Sequence, residues 1–282
     1  MLADIMQYIE CPKCGHALAE VDNVLRCEVG HAYDIARQGY VSMLRGDASI
    51  GTADTPAMVE ARTTFLGSGY YSAIADAVAE AAADALADGA EGCIAEVGAG
   101  TGYYLSAVLD RLPERVGIAL DISKAASKRA ARAHERIGAV VCDAWDRLPM
   151  RDDTVAVLLD IFSPRNPAEF ERVLVPGGSL VVVTPTPRHL GEIVQILGML
   201  TVDDRKDERL ETAFEGRFER VASVLVETQL ELSRDDVAAV AGMGPSAWHV
   251  AEKRGARIAA LSESTSVTLS VNVATYRQIS LD

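Results

Sequence analysis

The chain has 282 residues, 49% of them hydrophobic, and a formal net charge of −14. That length allows one large domain or a large domain plus a small one. The acidity excludes polyanion binding over the whole surface, because neutralising phosphates takes Lys and Arg. No stretch approaches 18 unbroken apolar residues and the opening "MLADIMQYIE" has two acids and no base, so neither a membrane helix nor a secretory signal is expected, and a cytoplasmic location is.

Three of the five cysteines fall in the first 27 residues. Cys11 and Cys14 form a CxxC pair, and Cys27 and His31 form a CxxxH pair that contains Gly30. Three thiolates and one imidazole at this spacing predict a tetrahedral Zn2+ site. Four protein ligands leave no position for water, so the metal would be structural and would hold together a segment of about 45 residues, near the size at which a core alone rarely suffices. His16 is a competing ligand, one residue beyond the first knuckle.

Residues 46–56, "GDASIGTADTP", read as a linker. A helical stretch "AMVEARTTFLGSGYY" follows, then an alanine-rich helix from Ser72 to Asp88 with Ile74, Val78, Ala82 and Leu86 on one face. From Cys93, short apolar runs alternate with helical stretches, which predicts a parallel sheet covered on both faces. The runs are "CIAEVGAG", "RVGIALDIS", "GAVVCDA", "TVAVLLDIFS" and "GSLVVVTPT". Cys93 and Cys142 fall inside them and read as buried apolar residues. The last third, "RVASVLVETQLELS" and "SVTLSVNVATYRQIS", predicts two long strands around one helix that starts near Asp235, an antiparallel end to the sheet.

"AEVGAGTGYYLSAVL" is a strand, a glycine-rich turn and a helix. Glycines let the backbone approach a ligand, and the helix start offers free N–H groups. A dinucleotide fingerprint needs a third glycine where Tyr103 stands. Instead Glu96 precedes Gly98, Gly100 and Gly102, a pattern that resembles motif I of the class I S-adenosylmethionine (SAM) methyltransferases. Asp121 ends the next strand, where an acid can accept from a ribose diol. Asp143 ends the strand after it, where that superfamily contacts the adenine. A helix cap or solvated loop acid is the alternative for each.

The zinc motif ahead of this turn resembles the bacterial 23S rRNA (guanine-N1)-methyltransferases of the RlmA type. The likeness runs through "YDIARQGYVSML", "ARTTFLGSGYY", "GAGTGYY", "DIFSPRNPAEFERVLVPGG", "TPRHL" and "GPSAW", almost the whole chain. It implies a class I methyltransferase fold, Rossmann-like with a mostly parallel sheet and an antiparallel end, behind a small zinc module. The expected division is 1–45 zinc module, 46–72 linker and arm, and 73–282 methyltransferase domain. It also implies methyl transfer from SAM to N1 of a guanosine in a 23S rRNA hairpin, a zinc module that helps grip RNA, and a possible homodimer. By the same match Tyr71, Thr101, Gly102 and His189 line the SAM site.

Guanine N1 is protonated at neutral pH, so a base or a partner at O6 is needed, and the base must be unpaired or flipped out. In "DIFSPRN", Asp160 is the candidate for the N1 proton, Phe162 for stacking and Arg165 for a phosphate. A structural role for Asp160 and a core position for Phe162 are the alternatives. In "SKAASKRAARAHER", Lys124, Lys128, Arg132 and Arg136 recur at i+4 and predict a basic stripe along one helix, or a solvated outer face. The zinc module has only Lys13, Arg26, Arg37 and Arg45 against several acids, a weak RNA footprint. Two other functions stay open: a SAM methyltransferase for a small molecule or protein, and a non-catalytic zinc-containing rRNA-binding factor.

Overall fold

A computed structural model describes residues 2–45, 51, 53–199, 206–244 and 251–279. The chain starts with a short helix α1 (Leu2–Ile5) and a three-stranded antiparallel sheet of β1 (Leu18–Val21), β2 (Val24–Cys27) and β3 (Ala32–Asp34). Asp22 and Asn23 make the tight β1–β2 turn with φ of 53° and 61°, left-handed values that Asp and Asn tolerate and that match the twist of a two-residue hairpin. β4 (Tyr40–Ser42) then leaves this small sheet and pairs in parallel with β7 of the main one.

α2 (Pro56–Gly67) begins with Thr55 accepting from the Met58 N–H and Pro56 in its first turn. After α3 (Ser72–Ala85) the expected alternation appears: β5 (Cys93–Val97), α4 (Tyr103–Arg111), β6 (Gly117–Asp121), α5 (Lys124–Ala130), β7 (Ile137–Val141), β8 (Val155–Ile161), α6 (Pro167–Val173) and β9 (Leu174–Pro185). β5, β7 and β8 are buried along their whole length, as strands covered on both faces must be. α7 (Gly191–Leu197), α8 (Lys206–Phe214), β10 (Phe218–Ser233), α9 (Arg234–Gly242), α10 (Ala251–Ala259) and β11 (Ser264–Gln278) complete the chain. The main sheet runs β10-β11-β9-β8-β5-β6-β7-β4, with β11 antiparallel to both of its neighbours. Two helices, not one, lie between the last two strands, the first capped by Ser233 and Asp236 in a reciprocal box.

One face of the sheet buries α2, α3, α4, α7 and α9. The other buries α6 and α8 together with the zinc module, whose Ile5, Ile9, Leu25 and Tyr33 belong to the same core as Ile118, Leu148 and Tyr276. Gly138 in β7 is required there, since a Cβ on it would lie 2.5 Å from Ile5 Cδ1. Among the described residues no helix is long and apolar enough to cross a membrane.

The basic stripe does not form. α5 stops at Ala130, so Arg132 and Arg136 are not on it. Arg136 instead donates to the carbonyl oxygens of Leu109, Leu112 and Arg115, satisfying backbone at the end of α4.

Candidate functional site

The knuckles of the N-terminal module are tight turns. The N–H groups of Cys14 and Gly15 donate to Cys11 O, Gly30 N–H donates to Cys27 O, and Gly15 and Gly30 take φ of 70° and 95°. These turns bring Cys11, Cys14, Cys27 and His31 to within 4.8 Å of one another, ligand atom to ligand atom. Cys14 Sγ lies 3.7 Å from Cys27 Sγ, and His31 Nδ1 lies 3.4 and 3.5 Å from Cys11 and Cys27 Sγ. A tetrahedron with the usual Zn–S and Zn–N bonds has edges of about 3.6–3.8 Å, so donor set and spacing fit Zn2+. His16 stands outside: its Nδ1 meets Cys14 O and its Nε2 meets Glu28. Tyr33 Oη, 3.2 Å from Cys11 Sγ, supplies a hydrogen bond to a ligand sulfur, and burial followed by that contact holds its phenol well above the ordinary value.

The second site lies at the carboxyl ends of β5–β8, where ligands bind in open α/β sheets. Gly98, Gly100 and Gly102 have φ of 67°, 54° and 77°, so all three motif glycines occupy the left-handed region. A Cβ on Gly98 would lie 2.2 Å from Ser163 Oγ. Gly102 lies behind the turn, its Cα packed on α5 where a Cβ would meet Ala130 Cα at 3.2 Å. Asp121 braces the turn from β6, accepting from Gly100 N at 2.8 Å and Ser123 N at 2.7 Å. Loss of solvent pushes its carboxyl up against those two bonds, which pull it down.

In front of the turn is a cleft of about 500 Å3, lined by Gly98, Gly100, Asp121, Asp143, Trp145 and Phe162 among others. That volume is in the range of small-molecule sites. Asp143 accepts from Trp145 N at 2.9 Å, and Asn166 donates to the carbonyl oxygens of Ala144 and Trp145. The backbone under Trp145 is thereby clamped while its indole stays 67% exposed at the cleft. Cys142 also lines the cleft; its thiol and that of Cys93 are buried and pushed up by desolvation, Cys93 to about 12, so both are neutral.

Beside the cleft a smaller hollow, about 40 Å3, is lined by Tyr71, Glu96, Thr101, Tyr104, Arg62 and Phe162 among others. Burial raises the Glu96 carboxyl well above its ordinary value, although Leu105 N donates to it at 3.1 Å. His189 is behind the wall: Ser270 N donates to its Nδ1 at 3.2 Å, which assigns the neutral ring's proton to Nε2, 3.1 Å from Tyr71 Oη. The imidazole also stacks on Phe162 at 5.9 Å.

Phe162 has φ of 55°, unusual for an aromatic residue, and this turns its 38%-exposed ring into both hollows. Asp160 is 0% exposed and lines neither; its Oδ1 is 3.2 Å from Arg165 Nε, which gives the guanidinium expected at a phosphate a carboxylate partner instead. Sequence reading missed Arg62, Trp145 and Tyr33, and missed that Ser163 closes over Gly98. Trp145, two residues after the singled-out Asp143, carried a signal; the others depend on contacts between distant segments.

Residues 9–45 match the family model "RlmA, N-terminal", and residues 94–178 match "Methyltransferase domain". The 23S rRNA (guanine(748)-N(1))-methyltransferase of Streptomyces fradiae is 43% identical, covering 99% of this chain and 100% of its own. A Micromonospora griseorubida protein, provisionally named as a 23S rRNA (guanine-N(1)-)-methyltransferase, is 48% identical with the same coverage. A Bacillus subtilis relative with the same provisional name is 29% identical over 93% of this chain and 94% of its own. With zinc knuckles, a left-handed glycine turn and full-length identity in agreement, the chain belongs to the 23S rRNA (guanine-N1)-methyltransferase family.

Proposed function

We propose that this chain transfers a methyl group from SAM to N1 of one guanosine in a hairpin of 23S rRNA, with guanine 748, the position in the Streptomyces fradiae relative's name, as the first nucleotide to test. The observation that carries the reading is the cleft of about 500 Å3 floored by the left-handed glycine turn and open toward Phe162. For function we divide the chain at the same limits as above: zinc module 1–45, linker and arm 46–72, methyltransferase domain 73–282.

SAM supplies an electrophilic methyl on a sulfonium, so the protein's work is alignment of donor and acceptor. In this reading Gly98, Gly100, Thr101 and Gly102 shape the turn against the donor, Asp121 takes the ribose hydroxyls and Asp143 the adenine side. Tyr71, held by His189, and Glu96 border its amino-acid end. Phe162 stacks the acceptor base at the opposite side, an interaction worth about 1–3 kcal/mol. Asp160 is assigned the N1 proton; its carboxylate is buried against Arg165 behind the cleft wall, so the assignment requires the loop that carries Phe162 to turn it toward the cleft when the base binds. The alternative is that the pair only holds this loop. Asp160→Asn separates the two: a proton acceptor's loss lowers kcat by about 10²–10⁴ and flattens its pH profile, whereas a loop support's loss leaves the profile's shape unchanged.

The zinc module adjoins the cleft, since Pro12, Met43 and Arg45 line a small hollow with Cys142 and Asp143. We assign it the grip on RNA through exposed Lys13, Arg26 and Arg45. Cytoplasmic location and a homodimer, tested by sedimentation, belong to the same proposal. A second reading, methylation of a small molecule or protein, is favoured by the net charge of −14 and the absence of the expected basic stripe. Competition among RNA, protein and small-molecule fractions for labelled methyl decides between them.

A further inference from the structure

Among the described residues, the one cation at the cleft has no role in the reading above. Arg62 of α2 lines both hollows, and every other described charged residue lining them is an acid: Asp54, Asp121 and Asp143 in the large one and Glu96 in the small one. Its guanidinium is fixed from one side only. Nη2 donates to Asp54 Oδ2 at 2.7 Å and to Met243 O at 2.8 Å, which ties the arm to the end of α9. Nε, in contrast, is buried with no acceptor among the described residues, although the side chain as a whole is 27% exposed. A buried N–H without a partner is costly enough that native sites seldom keep one without a reason.

The unsatisfied edge faces the glycine turn. A Cβ on Gly100 would lie 3.4 Å from Arg62 Cδ and 3.6 Å from Nε, so a side chain there would cover the Nε edge that glycine leaves bare. Arg62, Gly98, Gly100 and Phe162 line both the large cleft and the small hollow, which Leu66, Tyr71 and Met243 also border. About 40 Å3 has room for the end of a small ligand.

We infer that Arg62 is the anchor for the α-carboxylate of the methyl donor's amino-acid tail, received on the Nε edge beside Gly100. This rests on the methyltransferase reading and extends it by naming what discriminates the whole donor from a bare nucleoside. The charge pattern agrees: the donor carries one anionic group and cationic ones, and the hollows offer one guanidinium among carboxylates. A guanidinium held rigid by Asp54 and Met243 O binds a carboxylate with little reorganisation.

The test is calorimetry on the full-length, zinc-loaded protein with two ligands, S-adenosylhomocysteine and its decarboxylated analogue. Wild type should prefer the first by roughly 10–100-fold, the range for a charge-assisted contact in a partly buried site. Arg62→Met should lose most of that preference by weakening the carboxylate-bearing ligand alone, and Arg62→Lys, which keeps charge but not the fork, should retain part of it. A wild type with no preference overturns the inference without reference to any variant. So does an Arg62→Met protein that binds both ligands equally more weakly, since that marks Arg62 as an arm support only. A wild type that binds neither ligand overturns the methyltransferase reading itself, and the inference with it.

Discussion

Glu10 and Arg147 join the zinc module to the sheet domain: Glu10 Oε1 accepts from Arg147 Nε at 3.1 Å and Nη2 at 2.8 Å, across 137 residues of chain. The contact is reinforced by backbone. Glu10 N donates to Pro149 O, Arg151 N to Tyr8 O, and Ile9 bridges Met150. Glu10 is buried while the Arg147 side chain is 45% exposed, so solvent screens the pair and reduces its worth to about 1 kcal/mol. Glu10→Gln should therefore lower Tm by roughly 2–4 °C while leaving one zinc per chain, measured by thermal melting and metal analysis. Loss of the metal in this variant would show that the joint, not the ligands, holds the module.

The metal should in turn depend on Tyr33. Tyr33→Phe removes the hydrogen bond to Cys11 Sγ without changing a ligand, and outer-sphere changes of this kind cost roughly 10–100-fold in metal affinity. Competition with a chelator reads this directly. Cys11→Ser removes a ligand and should abolish binding of zinc. Because β4 is part of the main sheet and Ile5 packs under Gly138, the melting temperature of the whole chain should fall as well.

The glycine turn is closed over by a serine, which gives a two-variant test. Gly98→Ala puts a methyl group 2.2 Å from Ser163 Oγ on a backbone with φ of 67°, so it should abolish binding of S-adenosylhomocysteine. Gly98→Ala with Ser163→Gly relieves the clash but not the strain, and should recover part of the affinity. Full activity in Gly98→Ala would mean that the 98–102 turn is not where the donor sits.

Glu96 sets a pH dependence. Burial raises its carboxyl well above the ordinary 4.5 in the folded chain. The folded state thus holds the proton more tightly than the unfolded one, and stability linked to Glu96 is full below pH 4.5 and lost as pH rises through the folded value. Glu96→Gln, which still offers an oxygen to Leu105 N, should melt at a higher temperature than wild type at pH 8 without donor. The advantage should shrink toward pH 4.5. Parallel curves for the two proteins would contradict this assignment of the buried proton.

What the sequence carried were features with fixed local spacing. Cys11, Cys14, Cys27 and His31 converge because two short turns suffice to bring them together. Gly98, Gly100 and Gly102 announce left-handed backbone because few other residues adopt it. The five central strands were visible as apolar runs because both faces are buried. What it did not carry were contacts between distant segments. Arg62 reaches Met243 O across 181 residues, and β4 pairs with β7 although nothing in "YVS" marks a sheet edge. The basic stripe is not legible as interrupted because "ARAHER" has no breaker, while in the fold α5 ends at Ala130 and Arg136 turns to carbonyls at the end of α4.

The most direct measurement is methyl transfer from labelled SAM to protein-free 23S rRNA that lacks the modification, with the product mapped to a nucleotide. A single N1-methylguanosine in one hairpin is expected, with transfer lost in Cys11→Ser while S-adenosylhomocysteine still binds. No transfer to the RNA from protein that binds S-adenosylhomocysteine and carries zinc would contradict it, and would turn the acidic surface into evidence for a different acceptor.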